Sequence, residues 1–191
     1  MKTDVIVISS EGDNMEAALE QIDKLCVYKE LAGNDAVSLR LLTEEMMAMM
    51  RAITGNVNGE FWAEDQDGTY ELHLRVLSLV DEKRREQLLS ASTDGKNEAS
   101  RGFMGKLRSF FEPSSGVPML SAGFGGSSYG NTVWAMEDYR DQLRQYREQD
   151  GEEGREAWDE LEKSVVAKIA DNVKVSIRGR VVEMTIFKKI G

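Results

Sequence analysis

Apolar positions along this chain follow two different periods, and the switches between them mark out the elements. Val5-Ile6-Val7-Ile8 is a short β-branched run and predicts a strand at the edge or centre of a sheet. Gly12-Asp13 breaks it, and Asn14 offers a side-chain oxygen to cap the helix that follows. Met15, Ala18, Leu19, Ile22, Leu25 and Cys26 then recur at helical spacing. Beyond Gly33-Asn34-Asp35, the positions Leu39, Leu42, Met46, Met49 and Ile53 mark the buried face of a second helix, which Leu41, Met47 and Met50 widen. A helix this apolar is expected at the centre of the fold.

The period then falls to two. Gly59 to Glu64 begins a strand that turns at Asp65-Gln66-Asp67-Gly68. In the return strand Tyr70, Leu72, Leu74 and Val76 alternate with Glu71, His73 and Arg75, which assigns one face to a core and the other to water. His73, the one histidine, falls on the polar side without a Cys, Asp or His at ligand spacing, so an exposed surface residue is expected there. Asp81 to Ser90 reads as a charged helical turn or two, followed by a polar loop at Ser92 to Asn97. Ser100 to Leu107 opens an amphipathic helix through Phe111, and Pro113 to Asn131 is a Gly- and Ser-rich loop or lid. Met136, Tyr139, Leu143 and Tyr146 predict a helix, broken at Asp150 to Gly154, and Trp158, Leu161, Val165 and Ile169 form the second arm of a helical hairpin. From Asn172 onward, Val173-Val175-Ile177 and Val182-Met184-Ile186 alternate around a turn at Arg178-Gly179-Arg180.

These elements predict an α+β fold: a two-layer α/β sandwich with a mixed, mostly antiparallel sheet covered by helices on one face, plus an extra helical hairpin. At 191 residues a single domain over 1–191 is expected, with an insertion of Gly-rich loop plus helix at about 113–156.

Charge and cysteine usage narrow the function classes. With 34 acidic against 24 basic residues the formal charge is −10, which offers phosphate backbones and anionic lipid heads no basic footprint, so neither nucleic acid nor membrane is an expected partner. Cys26 has no second cysteine to pair with and sits on an apolar helix face, which predicts a small buried hydrophobe in a reducing compartment. The first ten residues lack the apolar run of a signal peptide, so a cytoplasmic location is expected.

Candidate chemistry is confined to two places. On the methionine-rich helix, at about 100° per residue, Glu45 falls on the flank of the buried face while Glu44 points to solvent. Further on, a glycine-bearing turn leads into a helix at Gly102 and Gly105, and exposed backbone amides there, with Lys96, Arg101 and Lys106 near in sequence, suit an anion.

The order of strand, helix, helix, hairpin, loop, glycine turn into helix, final helix and β-hairpin resembles the GHKL (Bergerat-fold) ATP-binding domains of histidine kinases, gyrase and anti-sigma-factor kinases, the anti-sigma-factor-like branch above all. Leu39 to Glu45 looks like that family's Glu-bearing helix motif, Val76 to Asp81 like the strand whose Asp hydrogen-bonds adenine, and Ser92 to Gly105 like the glycine-rich phosphate segment. The resemblance covers roughly Met1 to Glu112 and Ala157 to Ile190.

It implies ATP or ADP as ligand, with Asp81 on adenine and Lys96, Asn97, Arg101, Gly102, Gly105 and Lys106 around the phosphates. Glu45 stands in the water-activating position, so an active protein would be an ATPase or an anti-sigma-factor-type protein kinase. Two departures bear on this. Four residues after Glu45, where the family has a magnesium-holding Asn, stands Met49, a poor ligand for a hard cation. Asp81 is followed by Glu82-Lys83-Arg84, with no glycine. The expectation is therefore a nucleotide-binding regulatory protein with weak or no catalysis and no magnesium held in the family's manner. The alternative is an interaction module that keeps the fold without nucleotide, serving a regulatory protein partner or self-association through the helical hairpin.

Overall fold

The computed structural model describes residues 1–52, 56–77, 107, 131–148, 152–178 and 180–191, with backbone alone at 131–132, 146–148 and 152–157. In chain order the elements are β1 (Ile6–Ser9), α1 (Met15–Tyr28), α2 (Asn34–Arg51), β2 (Asn58–Gln66), β3 (Thr69–Leu77), β4 (Asn131–Ala135), α3 (Met136–Glu148), α4 (Glu152–Lys163), α5 (Val165–Ile169), β5 (Asn172–Arg178) and β6 (Val181–Lys189). The strands form one six-stranded sheet in the order β1-β2-β3-β6-β5-β4, and every pairing is antiparallel. An α+β sandwich follows, with the helices on one face.

The alternation read from β3 sets that face. Tyr70, Leu72, Leu74 and Val76 join Phe61 and Ala63 of β2, Val182, Met184 and Ile186 of β6, and Val173 and Val175 of β5 in a single buried cluster. From α1 the cluster takes Met15, Ala18, Ile22, Leu25 and Cys26; from α2 it takes Leu39, Leu42, Met46, Met47, Met49 and Met50. Flexible thioethers suit this position, because they fill the uneven space between a twisted sheet and a straight helix. Thr43 lies wholly buried among them and satisfies its hydroxyl by donating to the Leu39 carbonyl at 2.9 Å.

The hairpin turn is tighter than the sequence suggested. Gln66 pairs with Thr69, leaving a two-residue connection of Asp67 (φ 52°) and Gly68 (φ 84°). Positive φ at both positions matches the right-handed strand twist, so the strands continue two residues further into the turn than the composition of the loop implied. A Cβ at Gly68 would stand 2.9 Å from the Ile190 carbonyl oxygen, so both the backbone angle and the space call for glycine.

Other local expectations are also revised. Asn14 does not cap α1: it is left-handed (φ 58°), and its amide donates to the Val7 carbonyl at 2.9 Å, closing part of the outer edge of β1. The second arm of the hairpin breaks at Ser164, which leaves α4 and accepts from the Ala167 amide to cap α5. The helical hairpin is expected over Val133 to Ile169, but Asn131–Ala135 forms the edge strand β4, paired along β5 from Asn131↔Arg178 to Ala135↔Lys174. Five residues are too few for a period to show, and the strand exists because β5 offers it a ladder.

Candidate functional site

Glu45 is the predicted site residue whose surroundings can be followed. It is half-buried on α2, whereas Glu44 is exposed and tied by its Oε1 to the Arg40 Nε at 3.1 Å. No described residue bonds to the Glu45 carboxylate, and about 1.7 turns of helix separate it from the end of α2 at Arg51. Met49 is 4 % exposed and its thioether belongs to the core, so the position that would supply an oxygen to a metal faces the sheet instead.

The register shows which end of the sheet this helix reaches. Leu77 of β3, Val181 of β6, Arg178 of β5 and Asn131 of β4 form one row across the sheet. Gly59 of β2 pairs with Val76 at the same end, and the space beside its α-carbon is closed by the Met50 methyl, 3.3 Å from where a Cβ would stand. The end of α2, the start of β2, the end of β3 and the start of β4 therefore gather at one end of the fold. Leu77 and Asn131, the described residues on either side of 78–130, both lie in that row, and Leu107 is buried in the common core. Asp81, Lys96, Asn97, Arg101, Gly102, Gly105 and Lys106 all belong to 78–130 and lie outside the described residues.

A second constellation lies on the face of the sheet away from the helices, and here the expectation for His73 is overturned. The imidazole is 8 % exposed, not free in water, because it stacks on Trp62 with ring centroids 4.6 Å apart and planes 3° from parallel. Lys2 and Arg75 each place their cationic ends 4.8 Å from the Trp62 ring. The indole N–H donates to Glu64 Oε1 at 2.8 Å, and the same oxygen receives Lys2 Nζ at 3.0 Å. That lysine, and then the indole, hold the Glu64 carboxyl below its usual range. His73 Nδ1 lies 3.2 Å from the Thr185 hydroxyl and 3.6 Å from Glu183 Oε1, while Nε2 lies 3.3 Å from Glu71 Oε2. Arg75 joins the group by reaching Glu183 at 3.0 Å and Glu60 at 3.3 Å. A signal for the stack was present in the sequence: a two-residue Asp-Gly turn places Trp62 opposite His73.

Several other titratable groups are structural. Asp65, 7 % exposed, pairs with Lys29 and accepts from the Gly68 amide at 3.1 Å, so the lysine first and the amide after it hold its carboxyl below the usual range. The α-amine of Met1 donates to the Asp65 carbonyl at 2.6 Å, which fastens the N-terminus to β2. Burial pushes the Cys26 thiol up, leaving it protonated as a core residue. Tyr139 of the helical hairpin is pushed up to about 12, chiefly by burial, and lies 6 % exposed against Trp134. The hairpin's aromatic stripe therefore faces inward at that position.

No helix among the described residues is long and apolar enough to cross a membrane. Comparison with known proteins returns no matching family model, no matching curated protein and no matching solved structure.

Proposed function

We propose that this chain is a nucleotide-binding regulatory protein, taking ATP or ADP at the end of the sheet where α2 and β3 finish, with weak or no catalysis. The observation that supports the reading is the shared row of Leu77, Val181, Arg178 and Asn131: the described residues that flank the stretch carrying Asp81 and the Lys96–Lys106 cluster lie at the end of the sheet that α2, the helix of Glu45, reaches through Met50. In this reading Asp81 accepts from the adenine amino group. The amides of Gly102 and Gly105, with Asn97, Lys96, Arg101 and Lys106, meet the phosphates, where backbone N–H groups and cations offset the charge. Phosphoryl transfer depends on positioning and charge neutralisation, usually with a bridging metal. With Met49 turned into the core, α2 supplies no second oxygen near Glu45, and binding without fast turnover follows.

The test is the thermal midpoint of the purified protein titrated with ATP and with ADP, with and without magnesium. A ligand at about 100 times its dissociation constant adds roughly 2.7 kcal/mol, enough for a clear upward shift. Asp81→Asn removes the shift in this reading. No shift with either nucleotide refutes it.

The second reading, a module that keeps the fold and associates without nucleotide, is favoured by the side of the sheet that the helices leave bare. Val7 and Val133 on the two edge strands are each 54 % exposed and Leu77 is 62 % exposed. It expects a stable homodimer by sedimentation together with no nucleotide shift; a monomer at all concentrations counts against it.

A further inference from the structure

We propose that a cleft between α3, α4 and α5 is a binding site for a small organic anion, one with a carboxylate or phosphate group on an aromatic or aliphatic body. The cleft has a volume of about 430 Å³, within the range of small-molecule sites. Its walls divide by chemistry. Leu161 and Ala167, 3 % and 6 % exposed, supply an apolar floor beside the half-buried Trp158, and Arg140, Arg144 and Lys168 supply three cations against the single carboxylate of Glu162. In a chain of formal charge −10, on helices that are themselves rich in acids, three of the four charged side chains lining this concavity are cations, which runs against the surface average.

The side chains are also unequally committed. The Arg140 guanidinium donates to the Ala167 carbonyl, which fixes its plane at the junction of α4 and α5. The indole of Trp158 donates to Glu162 Oε1 at 2.7 Å, drawing the carboxylate to the ring edge. Among the described residues Arg144 holds only the exposed Asp141 at 3.3 Å, a pair of the kind worth little in water, and none of them bonds to the Lys168 ammonium. One anchored guanidinium, one loosely held guanidinium and one ammonium are thus available to an oxyanion. Arginine matches carboxylate and phosphate in bidentate geometry, while Trp158 and Leu161 offer area to the ligand's body.

The probes are phenyl phosphate, benzoate and inorganic phosphate, followed by calorimetry and by the indole N–H resonances of the full chain, with Trp158 assigned by Trp158→Phe. Phenyl phosphate or benzoate is expected to bind at least tenfold more tightly than inorganic phosphate and to shift the Trp158 resonance. The double variant Arg144→Gln/Lys168→Gln, both exposed positions, is expected to weaken binding at least tenfold with an unchanged thermal midpoint in the absence of ligand. Asp81→Asn is expected to leave it intact, which separates this site from the proposed nucleotide site. No binding of either organic anion, equal affinity for inorganic phosphate, a silent Trp158 resonance, or binding indifferent to the double variant would each overturn the proposal.

Discussion

On the helix side of the sheet, Phe61, Leu72, Leu74 and Ile186 have no accessible surface and belong to an apolar cluster in which Thr43 of α2, bonded to its own helix, is a polar exception. One position along the same strands, Trp62, His73 and Thr185 are 4 %, 8 % and 9 % exposed, yet their neighbours are Lys2, Glu64, Glu71, Arg75 and Glu183. The first face is dry because a layer of helices lies on it. The second is closed by its own cross-strand partners and by the stems of long charged side chains that keep their heads in water. Near-complete burial can thus arise in two ways with different energetics: one depends on volume and transfer from water, the other on ring stacking and charge placement.

Substitutions sharpen this contrast. Phe61→Ala empties space beneath the helix layer that the helices refill only in part, and should cost about 3–5 kcal/mol by denaturant unfolding. A cost near 1 kcal/mol would show that the surrounding core collapses into the gap. Trp62→Ala on the open side should cost less, about 2–3 kcal/mol, because water and the stems of Lys2 and Arg75 can occupy the space that the ring leaves. A loss as large as that of Phe61→Ala would mean that the two faces are energetically alike.

Gly68→Ala acts on the turn that decides which residues fall on which face, because one step of register exchanges the two sides. It should destabilise by about 1–2 kcal/mol through its positive φ and the crowding at Ile190. Thermal unfolding measures it, and an unchanged midpoint would show that the turn relaxes freely.

The gentlest test is acid. Asp65 has a folded pKa below its unfolded value, so its contribution is complete above the unfolded value near 3.9 and fades as pH falls through the folded one. Asp65→Asn should therefore flatten the decline in stability below about pH 4. An acid limb identical to that of the parent would show that Lys29 adds nothing there.

Much of the architecture was legible in the residues. The change from helical to alternating spacing between Met50 and Tyr70 located α2 and β3, and the final hairpin could be read in the same way. Glu45 was correctly placed at the flank of the buried face, since helical geometry fixes that angle locally. β4 was not legible, because a five-residue edge strand is specified by the ladder it joins. His73 was misjudged because alternation reports which side of a strand a residue faces, not how that side is covered. The cleft of Arg140, Arg144 and Lys168 was equally hidden, since it is formed by three helices whose mutual placement no local pattern encodes.

What the sequence determined by itself was therefore periodic: the type and order of most elements, the face each turns to the core, and the acidic surface. What only the tertiary structure decided was adjacency across the chain: the strand order, the closing of Lys2 and Thr185 around the Trp62–His73 pair, and the meeting of α2 with the ends of β3 and β4. The physical reason is one of range. Spacing and side-chain chemistry act within a turn or two of backbone, whereas contacts between distant segments exist only after the hydrophobic layer has closed and the loop entropy has been overcome.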